Sequence, residues 1–273
     1  MRIAIIGFGN MGQTYANSFI SSGFVNSADI LVLNRTNVEK TKRFGIAKKN
    51  FFTIPVAQFF DSDILILAVK PQDFSLLSLD ISPFLKKEHV ILSVMAGISV
   101  VKMQTDLGIQ KIVRSMPNIS TQIGEGMTVF CASNAVDRKE LFIVQNLINT
   151  TGKSIYIEQE EMLNAATAVS GSGPAYVFYF MQAMINGAMS LGFSLSEAEF
   201  LVSQTFAGSV QLQNRSKLSN LEWIEKTHKE DTEKIKKDVD LSASDKVEYL
   251  KEIEDDYAKR IEGVKRDGEC RFK

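Results

Sequence analysis

The chain has 273 residues, 45% of them hydrophobic and 23% charged, with a formal net charge of −1. That is enough apolar material for one or two packed cores. A balance so close to neutral gives no support to a nucleic-acid or polyanion partner. The two cysteines, Cys131 and Cys270, are too far apart in sequence to suggest a disulfide framework or a zinc site. They are expected to be reduced thiols of a cytoplasmic protein with no metal. Met1–Gly7 reads as the opening of a strand and lacks the layout of a signal peptide. The longest apolar run, Ala175–Phe193, carries Gln182, Asn186 and many small residues, so a buried helix is expected there and no membrane contact.

Residues 2–6 are apolar throughout, as in a central parallel strand covered on both faces. A glycine turn follows, then an amphipathic stretch from Met11 to Ser21. Further strands are predicted at Asp29–Leu33, Asp63–Val69, His89–Val94 and Lys111–Arg114. Helical patterns lie between most of them, including Asn37–Phe44 and Val100–Leu107. This alternation predicts an α/β fold with a doubly wound parallel sheet. Ser154–Ile157 is a candidate last strand. From Glu160 to about Lys226 the pattern turns helical, with Ala165, Ala166, Ala168, Ala175, Gly187 and Ala188 small enough for close helix packing. From His228 onward more than half the residues are charged. There Val247, Leu250, Ile253, Tyr257, Ile261 and Val264 form one narrow apolar stripe at helical spacing. The expected division is residues 1–157, 158–227 and a charged helical tail, 228–273. No internal repeat is visible.

Gly7-Phe8-Gly9-Asn10-Met11-Gly12 is a G-x-G-x-x-G set placed after a strand and before a helix. In that context the first glycine permits a tight turn, the second lets a pyrophosphate approach, and the third lets helix and strand pack closely. The helix amino terminus then offers free amides and a positive dipole end to the phosphates. This predicts a Rossmann-type dinucleotide site. The end of the second strand reads Asn34-Arg35-Thr36, where an NAD enzyme would carry a carboxylate for the ribose 2′-hydroxyl. Arg35 suits a 2′-phosphate, with Asn34 and Thr36 as neutral donors, so NADPH is expected and NADH only as a weaker ligand. Three more strand ends face the same edge of the sheet. They are Ala68-Val69-Lys70-Pro71, Met95-Ala96-Gly97, and Arg114-Ser115-Met116-Pro117-Asn118. The first two, with Gly7, Gly9, Asn10, Met11 and Gly12, complete the expected cofactor site. In the helical region Ser170-Gly171-Ser172-Gly173-Pro174-Ala175-Tyr176 places glycines before a helix-starting proline. Exposed amides are expected there, beside a carboxylate or a nicotinamide amide. Asn118, Ser170, Gly171, Ser172, Gly173 and Pro174 are accordingly the expected substrate and nicotinamide side.

These motifs, in this order and spacing, resemble the pyrroline-5-carboxylate reductases over roughly residues 1–227; Ser170–Tyr176 is the most specific of them. The resemblance implies an amino-terminal NAD(P)H domain followed by an all-helical dimerisation domain, in homodimers or rings of dimers. It also implies hydride transfer to the C=N carbon of the small substrate 1-pyrroline-5-carboxylate, giving L-proline. Such a reaction needs positioning and exclusion of water more than a reactive side chain, and no catalytic residue is assigned.

The resemblance ends abruptly. In the family, the helix matching Glu222-Trp223-Ile224-Glu225-Lys226 leads into a Ser-Pro-Gly-Gly-Thr-Thr-like loop that holds the substrate carboxylate. Here Thr227-His228-Lys229-Glu230-Asp231-Thr232-Glu233 follows, with no glycine pair. A frame change or a recombined gene leaves such a boundary, whereas gradual drift leaves scattered matches. Three functions are open at this point: a working imine reductase, an NADPH-binding relative that has lost catalysis, and a reductase of another small imine or hydroxy acid.

Overall fold

The computed structural model describes residues 1–36, 44–223, 226 and 227. These residues fall into two compact units, one spanning Met1–Pro174 and one beginning at Ala175. The predicted helix at Asn37–Phe44, apart from Phe44, and the apolar stripe of the charged tail lie outside the described residues, as does Cys270.

The first unit is built on one eight-stranded sheet. Its strands are β1 (Ile3–Ile6), β2 (Ile30–Leu33), β3 (Phe51–Phe52), β4 (Ile64–Leu67), β5 (Val90–Ser93), β6 (Ile112–Pro117), β7 (Gly126–Ala132) and β8 (Gly152–Tyr156). They lie in the order β3-β2-β1-β4-β5-β6-β7-β8. Every neighbouring pair is parallel except β6 and β7. β1 is central, with Ile6 in register with Leu33 of β2 on one side and Leu67 of β4 on the other.

The helices that cover this sheet are α1 (Asn10–Ser21), α2 (Phe74–Ile81), α3 (Val100–Leu107), α4 (Arg138–Asn149) and α5 (Met162–Ala166). Strand side chains alternate between the two faces, and the two cores follow that alternation. Ile3 and Ile5 pack with Tyr15, Phe19, Leu147 and Ile148, from α1 and α4. Ala4 and Ile6 pack with the opposite layer, formed by α2, α3 and Leu163 of α5. Burying both faces explains why β1, β2 and β4 are wholly apolar rather than alternating. Each fully buried Ile or Leu contributes about 1.5–3 kcal/mol, so the central strands hold the unit together.

The predicted strands are all present, with ends that differ by up to three residues. β3 and β7 are additional. β7 runs antiparallel beside β6 and carries Cys131, buried opposite Arg114. Burial pushes that thiol up to about 11, which keeps it protonated and unreactive.

In the second unit, α6 (Gly173–Ser190) and α7 (Leu195–Arg215) are the main helices. A capping box between Ser194 and Glu197 starts α7. The expectation of a buried helix at Ala175–Phe193 is corrected here. Within one chain the small core of this unit is Ile185, Ala198 and Val202, and Phe178 is 62% exposed. The apolar run is long enough for burial, but a single copy of these helices leaves much of it uncovered. No helix among the described residues is long and apolar enough to cross a membrane.

His89, just before β5, shows how one polar group is accommodated inside this fold. Its Nδ1 accepts from the Lys86 amide at 3.0 Å and its Nε2 donates to the Phe60 carbonyl at 2.9 Å. Burial favours the neutral ring and lowers its pKa below the ordinary 6.5. The unfolded chain therefore takes up the proton first as pH falls. The stability that neutral His89 provides is complete above about pH 6.5 and is lost as pH drops through the folded value. Denaturant unfolding at pH 7.5 and 5.5 is expected to show a larger acid loss in the parent than in His89→Gln.

Candidate active site

The loop after β1 is defined by close approaches. Gly7 has φ +93°, and its amide donates to the Leu33 carbonyl at 2.9 Å. A Cβ on Gly7 would stand 2.7 Å from the Ala68 carbonyl oxygen, so the turn is pressed against the end of β4. A Cβ on Gly12 would stand 2.1 Å from the Gly7 carbonyl oxygen, which fixes how near α1 lies to β1. Phe8 points into the core, with its ring edge-on to Phe44 and Phe51. Gly9 is different. It caps α1, is exposed, and a Cβ there would meet nothing within 4 Å. The first turn of α1 carries no acidic residue. Its free amides and positive dipole end therefore face an unobstructed side of the loop, as a pyrophosphate site requires.

At the end of β2 the three expected residues divide. The Asn34 Oδ1 accepts from the Phe8 amide at 3.0 Å, and its Nδ2 donates to the Thr36 carbonyl and hydroxyl at 2.9 and 3.1 Å. Asn34 thus ties the glycine loop to β2, and its amide is engaged within the protein rather than held out as a donor. Because the Thr36 hydroxyl accepts from Asn34, its own hydrogen is left to donate elsewhere. Arg35 extends outward, 86% exposed, with one nitrogen 3.4 Å from Asp73 Oδ2.

The other strand ends lie along the same edge. Ala68 and Val69 back the glycine turn, while Lys70 is exposed and starts the short turn Pro71–Asp73. At the end of β5 the Met95 side chain is 2% exposed and belongs to the core, so it is the backbone of Met95, with Ala96 and Gly97, that faces the edge. Asn118, after β6, accepts from the amides of Ser120 and Met127 at 3.2 and 3.3 Å.

Ser170–Pro174 is brought to the carboxyl end of β6, though not as an open glycine loop. Thr167–Gly171 form a turn of π helix between α5 and α6, and the Ser172 amide donates to the Thr167 carbonyl at 2.8 Å. The Ser170 hydroxyl donates to the Ala166 carbonyl at 3.0 Å. The Ser172 N–H therefore closes the π turn. Such turns interrupt α helices frequently at functional sites. A Cβ on Gly171 would come within 2.9 Å of the Met116 methyl, so this turn packs directly on β6.

Sequence reasoning missed the group that holds this corner. Glu160 Oε1 accepts from Arg114 at 2.6 Å and from the Val100 amide at 2.9 Å. Arg114 is buried, and one carboxylate oxygen both neutralises it and caps α3. The start of α3, β6 and the start of the helical region are tied together through Glu160. The pairing joins residues 46 positions apart, which no local pattern reveals.

A doubly wound sheet with a phosphate-type glycine loop, followed in the chain by a helical unit, defines the class of dinucleotide-linked oxidoreductases. Two family models match the chain: NADP oxidoreductase, coenzyme F420-dependent, over residues 2–97, and pyrroline-5-carboxylate reductase dimerisation over residues 160–232. The second match continues past residue 227, where the resemblance read from the sequence stops. The chain is 35% identical over 231 residues to the pyrroline-5-carboxylate reductase of Aquifex aeolicus, covering 83% of each chain. It is 31% identical over 220 residues to pyrroline-5-carboxylate reductase 2 of Bacillus subtilis, covering 77% of this chain and 76% of that one. This chain belongs to the pyrroline-5-carboxylate reductase family. Among solved structures, the Coxiella burnetii pyrroline-5-carboxylate reductase shares the fold at TM-score 0.80 and 24% identity, over 98% of this chain and 97% of that one. The Plasmodium falciparum pyrroline carboxylate reductase, solved with NADP bound, does so at TM-score 0.81 and 22% identity, over 99% and 97%.

The glycine loop yields a direct test. Gly12→Ala forces a methyl onto the Gly7 carbonyl and is expected to cost about 1–3 kcal/mol in denaturant unfolding. Gly9→Ala enters open space and is expected to cost about 1 kcal/mol or less. Equal losses at the two positions would contradict the packing described for this turn.

Proposed function

We propose that this chain binds NADPH and reduces 1-pyrroline-5-carboxylate to L-proline. Membership of the family supports the reaction, and one observation of the fold carries the cofactor reading. An unobstructed glycine loop lies beside an outward-facing Arg35, at the strand end where a carboxylate would select NAD. NADPH supplies the hydride. The chain's own part is to hold the pyrophosphate on the α1 amides and the 2′-phosphate on Arg35. Ala68, Val69, Lys70, Pro71 and the Met95–Gly97 backbone line the same edge. The corner of Asn118, Met116 and Ser170–Pro174 suits the nicotinamide and the substrate ring. Domain limits of 1–157 and 158–227 are proposed for this division of labour, with residues 160–174 of the second stretch packed on the sheet unit, which runs to Pro174. A buried thiol and an NADPH-linked reaction fit the reducing cytoplasm.

A slower enzyme than its relatives is the second half of the proposal. The sequence from Thr227 to Leu241 has no counterpart of the family's Gly-Gly-Thr loop. Losing one preorganised donor at a reacting centre costs on the order of 10²–10³ in rate. Nicotinamide absorbance is expected to fall only when both NADPH and 1-pyrroline-5-carboxylate are present, at a rate below the roughly 1–10³ per second of typical enzymes. Grafting Ser-Pro-Gly-Gly-Thr-Thr after Lys226, followed by the family's final helices, is expected to raise it. Turnover already in the typical range would refute the slow reading. No substrate-dependent oxidation, with NADPH still bound, would refute the reductase reading in favour of a binding protein.

A homodimer completes the proposal. Phe178 on α6 and Phe200 on α7, 62% and 71% exposed in one chain, are large apolar groups that a second copy would cover. Light scattering at micromolar concentration is expected to give twice the mass of one chain, shifting toward one chain in Phe200→Glu. A monomeric parent would count against it.

A further inference from the structure

We infer that Asp73 limits the preference for NADPH over NADH by competing with the cofactor's 2′-phosphate for Arg35; the inference rests on the NADPH reading above. Leu33 and Leu67 are both in register with Ile6, so β2 and β4 flank the glycine loop that follows β1. Arg35 lies two residues beyond Leu33, and Asp73 lies six beyond Leu67. Neighbouring strands are about 4.8 Å apart, so the outer two are separated by about twice that. The Arg35–Asp73 pair, at 3.4 Å, bridges the strand ends on either side of the loop.

The position of Asp73 is well determined. Pro71 begins the short turn, the Asp73 amide donates to the Lys70 carbonyl at 2.9 Å, and Phe74 directly after it is fully buried. The Asp73 backbone is itself helical, its side chain makes no hydrogen bond to the amides of α2, and its Oδ2 accepts from Arg35. The carboxylate is therefore directed at the cation on which the cofactor reading depends.

Two consequences follow for the two nucleotides. A 2′-phosphate must draw Arg35 away from Asp73 and then remain close to a carboxylate of like charge. The exposed pair is weak and screened, so a doubly charged phosphate with bidentate geometry displaces it. The displacement and the residual repulsion still reduce NADPH affinity. NADH carries a neutral 2′-hydroxyl, which has no need of Arg35 and meets no repulsion. Asp73 thus narrows the gap between the cofactors, although it lies 38 residues from Arg35 in sequence.

Asp73→Asn removes the charge and keeps the shape. Dissociation constants for NADPH and NADH are measured on the full chain by nicotinamide fluorescence, in the parent, Asp73→Asn, Arg35→Ala and the double variant. Asp73→Asn is expected to tighten NADPH about two- to fivefold, the range of an exposed ion pair, with NADH changed by less. The gain is expected to vanish in the Arg35→Ala background and to shrink as salt is raised. If Arg35→Ala weakens NADPH selectively while Asp73→Asn leaves NADPH unchanged, weakens it, or tightens both nucleotides alike, the inference is overturned and the NADPH reading stands. If Arg35→Ala weakens both nucleotides equally, the 2′-phosphate reading fails and the inference fails with it.

Discussion

The closeness of three backbone segments at the end of β1 sets the geometry on which the rest depends. The Gly7 turn lies against the Ala68 carbonyl on one side, while its own carbonyl faces Gly12 at a distance that leaves no room for a side chain. Asn34 then links the Phe8 amide to the end of β2. These contacts place the amino terminus of α1 at the carboxyl edge of the sheet, midway between β2 and β4. Open α/β sheets bind ligands at that edge because helix dipoles and free amides converge there. Phe8 stiffens the arrangement from below by packing its ring into the core.

A second point of organisation is the buried Arg114. A buried guanidinium with no partner costs several kcal/mol, and Glu160 answers it with an oxygen that also caps α3. The π turn after α5 then sets Gly171 on Met116. The two most distinctive motifs of the chain, 114–118 and 170–174, become neighbours through these contacts. The second unit follows a different logic. Its helix α7 opens on a capping box, but the apolar faces of α6 and α7 exceed what one copy can bury, which is the character of an element that completes its core by association.

Much of the fold was legible from β1, β2 and β4, since a short strand covered on both faces must be continuously apolar and flanked by helices. β7 was not, because Gly126–Ala132 itself opens on a glycine, two residues after Gly124, and shows no alternation, and its place is decided by antiparallel pairing with β6. The cofactor loop was legible as a motif because each of its glycines answers a steric demand. The partners of Asn34 were not legible, since hydrogen-bond capacity can be counted in a sequence but its partner cannot. The cover of α6 was not legible for a related reason: apolarity states that a face must be covered and not which chain covers it.

What the sequence by itself determined is the class of sheet, the glycine loop, the cation at the end of β2 and the family motifs, all of which rest on spacing within a few residues. The tertiary structure decided which distant groups meet: Glu160 with Arg114, Gly171 with Met116, and Asp73 with Arg35. It also decided which amides remain available, since the Ser172 N–H closes a π turn that no propensity foretells. Local patterns record what each segment needs from its surroundings. Partners separated by tens of residues are chosen only when the sheet brings their strand ends to one edge.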